Sequence, residues 1–398
     1  MKHILSNSAA SASVLTLALA LSLGSCQSPD YGRPLDPGAP ALVKQSFAEL
    51  QLPIADQWEA REDILPALER SITWTRRRHA EQFFPIAGVD HALALASLER
   101  FAQLLTESTD RDDFARSFEA EFDVFMSAGW DSKGGGVLFT GYCTPLLPGD
   151  TRPSELYSYP LYEKPPELLK DKQGNVLGWK TANGVGRVPS RRSIDGNGLL
   201  EGQGLELAWL ADPIDAYIAH VNGSAFIELP SGELLRLGYS AKNGRPYASL
   251  GKALIEAGHV EAEDMNLTSI RRWARDASAD TVDEYLARNQ SYVFFQPIEG
   301  NPHGSLDFDV AANRSLATDK SLFPRGALVF VDTALPDRLG GEIPYRQFMF
   351  DQDTGGAIRT AGRADIYLGI GPEAEERAGH LKSEGQLYYF FLKTYSFE

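Results

Sequence analysis

The glycine triplet Gly134-Gly135-Gly136 divides this chain into two kinds of sequence, and that division constrains the fold more than any other feature. Before it, apolar residues recur at helical spacing across 63–126, in the sets Leu68 and Ile72, then Leu93, Leu98, Phe101 and Leu105, then Phe114, Phe118, Phe122 and Phe125. Three amphipathic helices are predicted, with the aromatics turned into a core. After it come short β-type runs bounded by glycine, proline and polar turns, at 137–139, 156–161, 225–229 and 234–239. Helical stretches at 213–220 and 246–257 interrupt them, and a polar helical stretch runs over 261–287. Short runs at 292–296, 327–332, 347–350, 365–368 and 387–392 complete the series. The predicted class is mainly β with N-terminal helices, and strands of this length and spacing suit a small closed barrel.

The N-terminus reads as an export leader. Lys2 precedes an apolar run at 14–23 that is too short to span a bilayer. The run ends in Leu23-Gly24-Ser25-Cys26, a small-residue cleavage site placed directly before a cysteine, which is the pattern of a bacterial lipoprotein. The expected layout is a signal peptide over 1–25, lipidation at Cys26 and a flexible, proline-containing tether over 26–42. Gln27 after the cysteine suggests sorting to the outer membrane. An ordinary secretory leader with a chance cysteine is the alternative. Acylation of Cys26 leaves Cys143 as the remaining thiol, so no internal disulfide is expected and a packed core must hold the fold. With 398 residues, 43% of them hydrophobic, the chain is long enough for about two domains. A net charge of −16 disfavours nucleic acid and anionic membrane surfaces as partners.

Generic catalytic signatures are missing. There is no G-x-S-x-G elbow, P-loop, H-E-x-x-H or cysteine pairing for zinc, and neither a cofactor nor a metal is expected. Gly369-Ile370-Gly371-Pro372-Glu373-Ala374 mimics a dinucleotide fingerprint, but too little chain follows it for further βα units; the spacing suits a tight turn with Pro372 opening a helix. More informative are Asp353 and Asp365, twelve positions apart with Gly355 and Gly356 between them. A tight bend there lets two strands return side by side and bring the carboxylates together. A partly desolvated carboxyl beside another carboxylate has a raised pKa, as a proton donor to a glycosidic oxygen requires. Aspartates beside turns also serve simply to hydrogen-bond backbone amides, and this spacing fits both roles.

The C-terminal stretches Arg314-Ser315-Leu316-Ala317-Thr318-Asp319, Asp353-Thr354-Gly355-Gly356-Ala357-Ile358 and Asp365-Ile366-Tyr367-Leu368-Gly369-Ile370-Gly371-Pro372 resemble the three-aspartate domain of the membrane-bound lytic murein transglycosylase A family. Upstream, Thr140-Gly141-Tyr142-Cys143-Thr144-Pro145, Tyr159-Pro160-Leu161-Tyr162, Pro189-Ser190-Arg191, Val221-Asn222-Gly223-Ser224, Tyr239-Ser240-Ala241-Lys242-Asn243-Gly244 and Asn289-Gln290-Ser291-Tyr292 follow the same family in order.

The resemblance implies a double-psi β-barrel domain made from 43–145 and 291–398, with its three-aspartate segment at about 310–395. It also implies a second β-domain inserted at 146–290 and a substrate groove between the two. Its activity would be cleavage of the β-1,4 bond between N-acetylmuramic acid and N-acetylglucosamine in peptidoglycan without water, leaving 1,6-anhydro ends. Asp365 would be the acid and then the base, Asp353 its neighbour, and Tyr142, Thr144, Asn222, Ser224, Lys242 and Asp319 contacts to substrate. Partners would be glycan strands, the outer membrane through the lipid and other cell-wall enzymes, with no nucleic acid. Three departures from the family pattern stand at Cys143, where a second aromatic is usual and sugar stacking would weaken, at Asn222 with Ala225, and at Arg363-Ala364, which would alter the pKa of the acid. An inverting hydrolase using the same groove and a non-catalytic glycan-binding lipoprotein are the rival readings.

Overall fold

The computed structural model describes residues 29–171, 174–337 and 341–393, so Cys26 and the leader lie outside the described residues. Strand β1 (Leu42–Gln45) is followed by helices α1 (Arg61–Thr75), α2 (His91–Glu107) and α3 (Arg111–Glu121), then by strands β2 (Phe122–Ser127) and β3 (Val137–Thr144). Aspartates start the second and third helices: Asp90 accepts from the Leu93 amide, and Asp110 from those of Asp112 and Asp113. The third helix stops earlier than its aromatic spacing predicts. Phe122 and Phe125 belong to β2, which pairs with β1 and with the last strand of the chain. Phe122 still reaches the core for which its spacing suits it, stacking on Phe118 at 4.6 Å.

The middle of the chain forms a second body. It contains β4 (Leu146–Asp150), β5 (Tyr159–Tyr162), the small sheet β6 (Leu168–Lys170), β7 (Val176–Thr181) and β8 (Gly184–Gly186), and β9 (Glu206–Leu210). Helix α4 (Pro213–Asn222), β10 (Ala225–Glu228), β11 (Leu234–Lys242), α5 (Leu250–Glu256), α6 (Leu267–Asp276), α7 (Ala279–Arg288) and β12 (Val293–Pro297) complete it. The stretch read as one polar helix is two: α6 ends at Asp276, and Ser278 caps the amide of Thr281 to begin α7. The extended run at 156–161 becomes a strand only from Tyr159. Strand order in the larger sheet is β12-β11-β10-β4-β9-β5. The β12 strand, expected with the barrel half that begins at 291, therefore belongs here, where it satisfies the open edge of β11.

The chain then returns through β13 (Ser315–Ala317), β14 (Leu328–Pro336), β15 (Glu342–Asp353), β16 (Arg363–Ile370), α8 (Pro372–His380) and β17 (Lys382–Leu392). These strands run in the order β17-β14-β15-β13-β16-β3, and β3 pairs back onto β17, so six strands close into a ring. Alternation along the strands sorts the two faces. Val329, Val331, Met349, Leu387 and Tyr389 fill the interior with Phe139, Leu316 and Ile366. Leu328, Phe330, Phe348, Phe350 and Phe390 point the other way and meet Leu68, Phe101 and Phe118 of the helices. Burying each such ring stabilises by about 1.5–3 kcal/mol, so the helices are a wall of the core. Gly385 lets β17 cross from β3 to β14, since a Cβ there would collide with the Asp332 carbonyl and Thr333. Pro372 opens α8 at its first turn, as the glycine-rich stretch suggests.

Candidate active site

Strands β16 and β3 lie parallel, with Asp365 opposite Thr140 and Tyr367 opposite Tyr142. Ala364 and Ile366 face the ring interior, so Asp365 and Tyr367 point outward, alongside Thr140, Tyr142 and Thr144 of the neighbouring strand. Asp365 is half-buried, and its Oδ1 is buried without a hydrogen-bond partner among the described residues. Burial pushes its pKa from 3.8 to about 6; the Thr140 side chain and the Arg363 guanidinium pull it back, and the Asp353 charge adds to the rise. Burial, rather than the neighbouring carboxylate, is thus the main cause. Arg363 Nη2 also donates to Thr140 Oγ1 at 3.2 Å, which ties together the two groups that favour the carboxylate form.

The two aspartates do not lie on adjacent strands. The three residues of β13 insert between β15 and β16, and Ala317 is the register partner of Asp353 on one side and Asp365 on the other. Asp353 is fully engaged: Oδ1 accepts from the Ser305 amide at 2.9 Å and the Thr354 amide at 2.8 Å, and Oδ2 accepts from Tyr142 Oη at 2.7 Å. Burial raises its pKa while these donors, together with the Lys320 charge, oppose the rise.

Of the other expected residues, Thr144 is buried and joins the two bodies, with Oγ1 3.0 Å from Tyr367 Oη and 3.4 Å from Ser224 Oγ. Asn222 ends α4, its amide donating to the Ile218 carbonyl at 3.0 Å. Asn222 and Tyr142 line a single cavity of about 280 Å³ between the ring and the inserted body, with Tyr247, Leu250 and Leu267 opposite. Gly141 allows α8 to approach this edge, because a Cβ would meet Leu368 and the Ala378 backbone. Lys242 and Asp319 lie apart from these groups. Lys242 is exposed at the end of β11, and the buried Asp319 accepts from the amide and hydroxyl of Ser321, closing the turn after β13. The Cys143 side chain belongs to the ring core, so the departure there changes packing behind the site and offers little surface to a sugar.

Several groups escape sequence reading. Tyr247, from the inserted body, has its pKa raised chiefly by burial and also feels the charges of Arg363 and Asp365. Beneath Asp353, the buried Asp351 accepts from Thr318 Oγ1 and from Tyr389 Oη at 2.9 Å and pairs with buried Lys320. Lys320 follows Asp319 directly, and Asp351 precedes Asp353 by two residues, which is the only signal the sequence carries for this network.

Comparison with known proteins places the chain. Residues 138–296 match the model of the MltA specific insert domain and residues 314–391 that of the 3D domain. The membrane-bound lytic murein transglycosylase A of Escherichia coli K12 is 36% identical over 278 residues, covering 68% of this chain and 69% of that one. The crystal structure of a membrane-bound lytic murein transglycosylase from Agrobacterium tumefaciens superposes with a TM-score of 0.72 at 27% identity, covering 88% and 98% of the two chains. That of E. coli MltA with bound chitohexaose does so with a TM-score of 0.68 at 27% identity, covering 92% and 97%. With a relative this similar over two thirds of its length, and both family models matched in order, the chain belongs to the membrane-bound lytic murein transglycosylase A family.

Proposed function

We propose that this enzyme cleaves the β-1,4 bond between N-acetylmuramic acid and N-acetylglucosamine in peptidoglycan as a lytic transglycosylase, with Asp365 as its single acid and base. One observation carries this reading: Asp365, on the outer face of the ring, has a buried Oδ1 with no hydrogen-bond partner among the described residues, and burial raises its pKa to about 6, into the range where a group can both give and recover a proton near neutrality. As the C1–O bond breaks, the protonated Asp365 donates to the leaving glycosidic oxygen, and positive charge develops on the muramoyl ring. The carboxylate so formed takes the proton of the C6 hydroxyl, whose oxygen closes onto C1 and gives the 1,6-anhydro end. An intramolecular hydroxyl has a high effective concentration, so no second carboxylate is needed to activate water. Asp353 supports this division of labour, because three donors already hold its two oxygens and fix it as a neighbour of the acid.

The same reading makes the six-stranded ring a double-psi β-barrel with the middle of the chain as an inserted domain, and makes the space between them the glycan groove. Tyr142, Thr144, Asn222 and Ser224 would border it, whereas Lys242 and Asp319, which point elsewhere, would not. Lipidation of Cys26 and anchoring at the periplasmic face of the outer membrane of a Gram-negative bacterium complete the proposal. Among the described residues no helix is long and apolar enough to cross a membrane. Digestion of purified peptidoglycan tests the chemistry: each muropeptide should be one water lighter than its hydrolysed counterpart. Reducing, hydrated muramoyl ends would replace this mechanism with hydrolysis.

A further inference from the structure

Arg363 stands beside the acid without a carboxylate of its own. Strand alternation puts it on the outer face of β16 with Asp365 and Tyr367, since Ala364, Ile366 and Leu368 belong to the ring core. Its register partner on β3 is Leu138, yet its Nη2 reaches Thr140, the partner of Asp365, at 3.2 Å. The side chain is therefore laid along the strand towards the acid. Its charge is felt by Asp365 and also by Tyr247, which lines the cavity from the inserted body.

The half-buried Arg100, Arg271 and Arg346 and the buried Arg191 each pair with an aspartate or glutamate. Arg363 is half-buried too, in a chain with 54 acidic residues against 38 basic ones, and among the described residues it pairs with none. A guanidinium carries five N–H donors, and here the one bond made goes to a neutral hydroxyl. Its Nε is enclosed by protein and out of a ligand's reach, whereas Nη1 is accessible and unbonded among the described residues. The open end of the side chain is thus the Nη end.

This placement opposes the chemistry assigned to Asp365, because a nearby cation favours the carboxylate and a proton donor must be the acid. Burial raises the pKa of Asp365; Thr140 and Arg363 then lower it, and Asp353, the charge that opposes them, contributes least. Tyr142 and Tyr247, which also face this space, have hydroxyls pushed up by burial and stay neutral. A carboxylate arriving on Arg363 would remove the conflict by neutralising the cation as the substrate seats.

We propose that Arg363 receives a carboxylate of the substrate through its Nη groups, next to the bond that is cut, and so selects for strands that carry one there. The proposal rests on the peptidoglycan reading. In that polymer the carboxylate has two sources: the lactyl ether of N-acetylmuramic acid, free where no peptide is attached, or the peptide stem that the same lactyl group carries.

Equilibrium binding to the full chain carrying Asp365→Asn tests it, since the amide stands in for the uncharged acid and turnover is arrested. The probes are a stem-free strand with free lactyl carboxylates, a stem-bearing strand, and chitohexaose, which has no carboxylate. Adding Arg363→Gln should weaken at least one of the first two about tenfold or more, as losing charge-assisted hydrogen bonds does, and should shift chitohexaose by less than about twofold. Loss confined to the stem-free strand identifies the lactyl carboxylate, loss confined to the stem-bearing strand identifies the stem, and loss with both means that either source serves. Converting the carboxylates of the responding strand to methyl esters should weaken it comparably, with Arg363→Gln then adding nothing. Equal weakening of all three probes, or of none, overturns the proposal and leaves the glycan groove standing. Failure of every probe to bind before Arg363 is changed overturns the peptidoglycan reading with it.

Discussion

Asp353 and Asp365 flank the same residue: each is the register partner of Ala317, from opposite sides of the three-residue strand β13. The hydrogen bonds distinguish them. Asp353 is held by three donors, whereas Asp365 keeps Oδ1 unengaged.

Substitution should separate the two roles. Asp365→Asn is nearly isosteric but can neither give nor recover a proton, so turnover on peptidoglycan should fall at least about a hundredfold with glycan binding retained. Asp353→Asn keeps an oxygen for the Ser305 and Thr354 amides and removes only the smallest contribution to the raised pKa of its neighbour, so it should cost less. Full activity in a folded Asp365→Asn protein would mean that another residue is the acid.

The pH profile should follow the proton on Asp365. The free enzyme needs this carboxyl protonated, so kcat/KM should be level below about pH 6 and decline above it, about tenfold per pH unit. Arg363 favours the carboxylate form, and Arg363→Gln should move that decline to higher pH. A profile that stays put or moves to lower pH would deny Arg363 this influence.

Substitution of Asp365 should move stability in the opposite sense to activity. The folded-state pKa of Asp365 lies above its ordinary value of 3.8, so between there and about 6 the folded chain binds more protons and loses stability as pH rises. Asp365→Asn removes that loss. At pH 7 it should unfold later than the wild type by on the order of 1–2 kcal/mol after solvent screening of a half-buried group, and the gap should close near pH 4. Equal thermal or denaturant midpoints at both pH values would show that burial of Asp365 stores no such cost.

Gly385→Ala probes the crossing in β17. The added methyl group meets the Asp332 carbonyl and Thr333, so the strand must shift where it leaves β3 for β14. A loss of about 1–3 kcal/mol is expected in denaturant unfolding. An unchanged midpoint would show that the ring adjusts there freely.

Residue type and spacing carried the reading furthest where chemistry and periodicity coincide. The helices at the N-terminus and the strands that carry Asp353 and Asp365 were legible, while Tyr142 entered only through the family resemblance. The intervening β13 was not, because Ser315-Leu316-Ala317 is too short to show a period. Phe122 and Phe125 continue a helical spacing that long-range pairing with β17 overrides. Asp319 and Lys242 have side chains suited to a glycan, but backbone direction, which no local pattern encodes, sends one into its own turn and the other to an exposed strand end. Ser305 and Tyr247 come from loops whose positions depend on the whole assembly.

Ring closure has a consequence in time. The β3 strand is made early, yet both of its partners, β16 and β17, come from the last part of the chain, after the whole inserted body has been synthesised. Pairings over such separations form slowly and late. A polypeptide stopped before Lys382 would contain every residue of the proposed chemistry and still lack the strand that closes the ring.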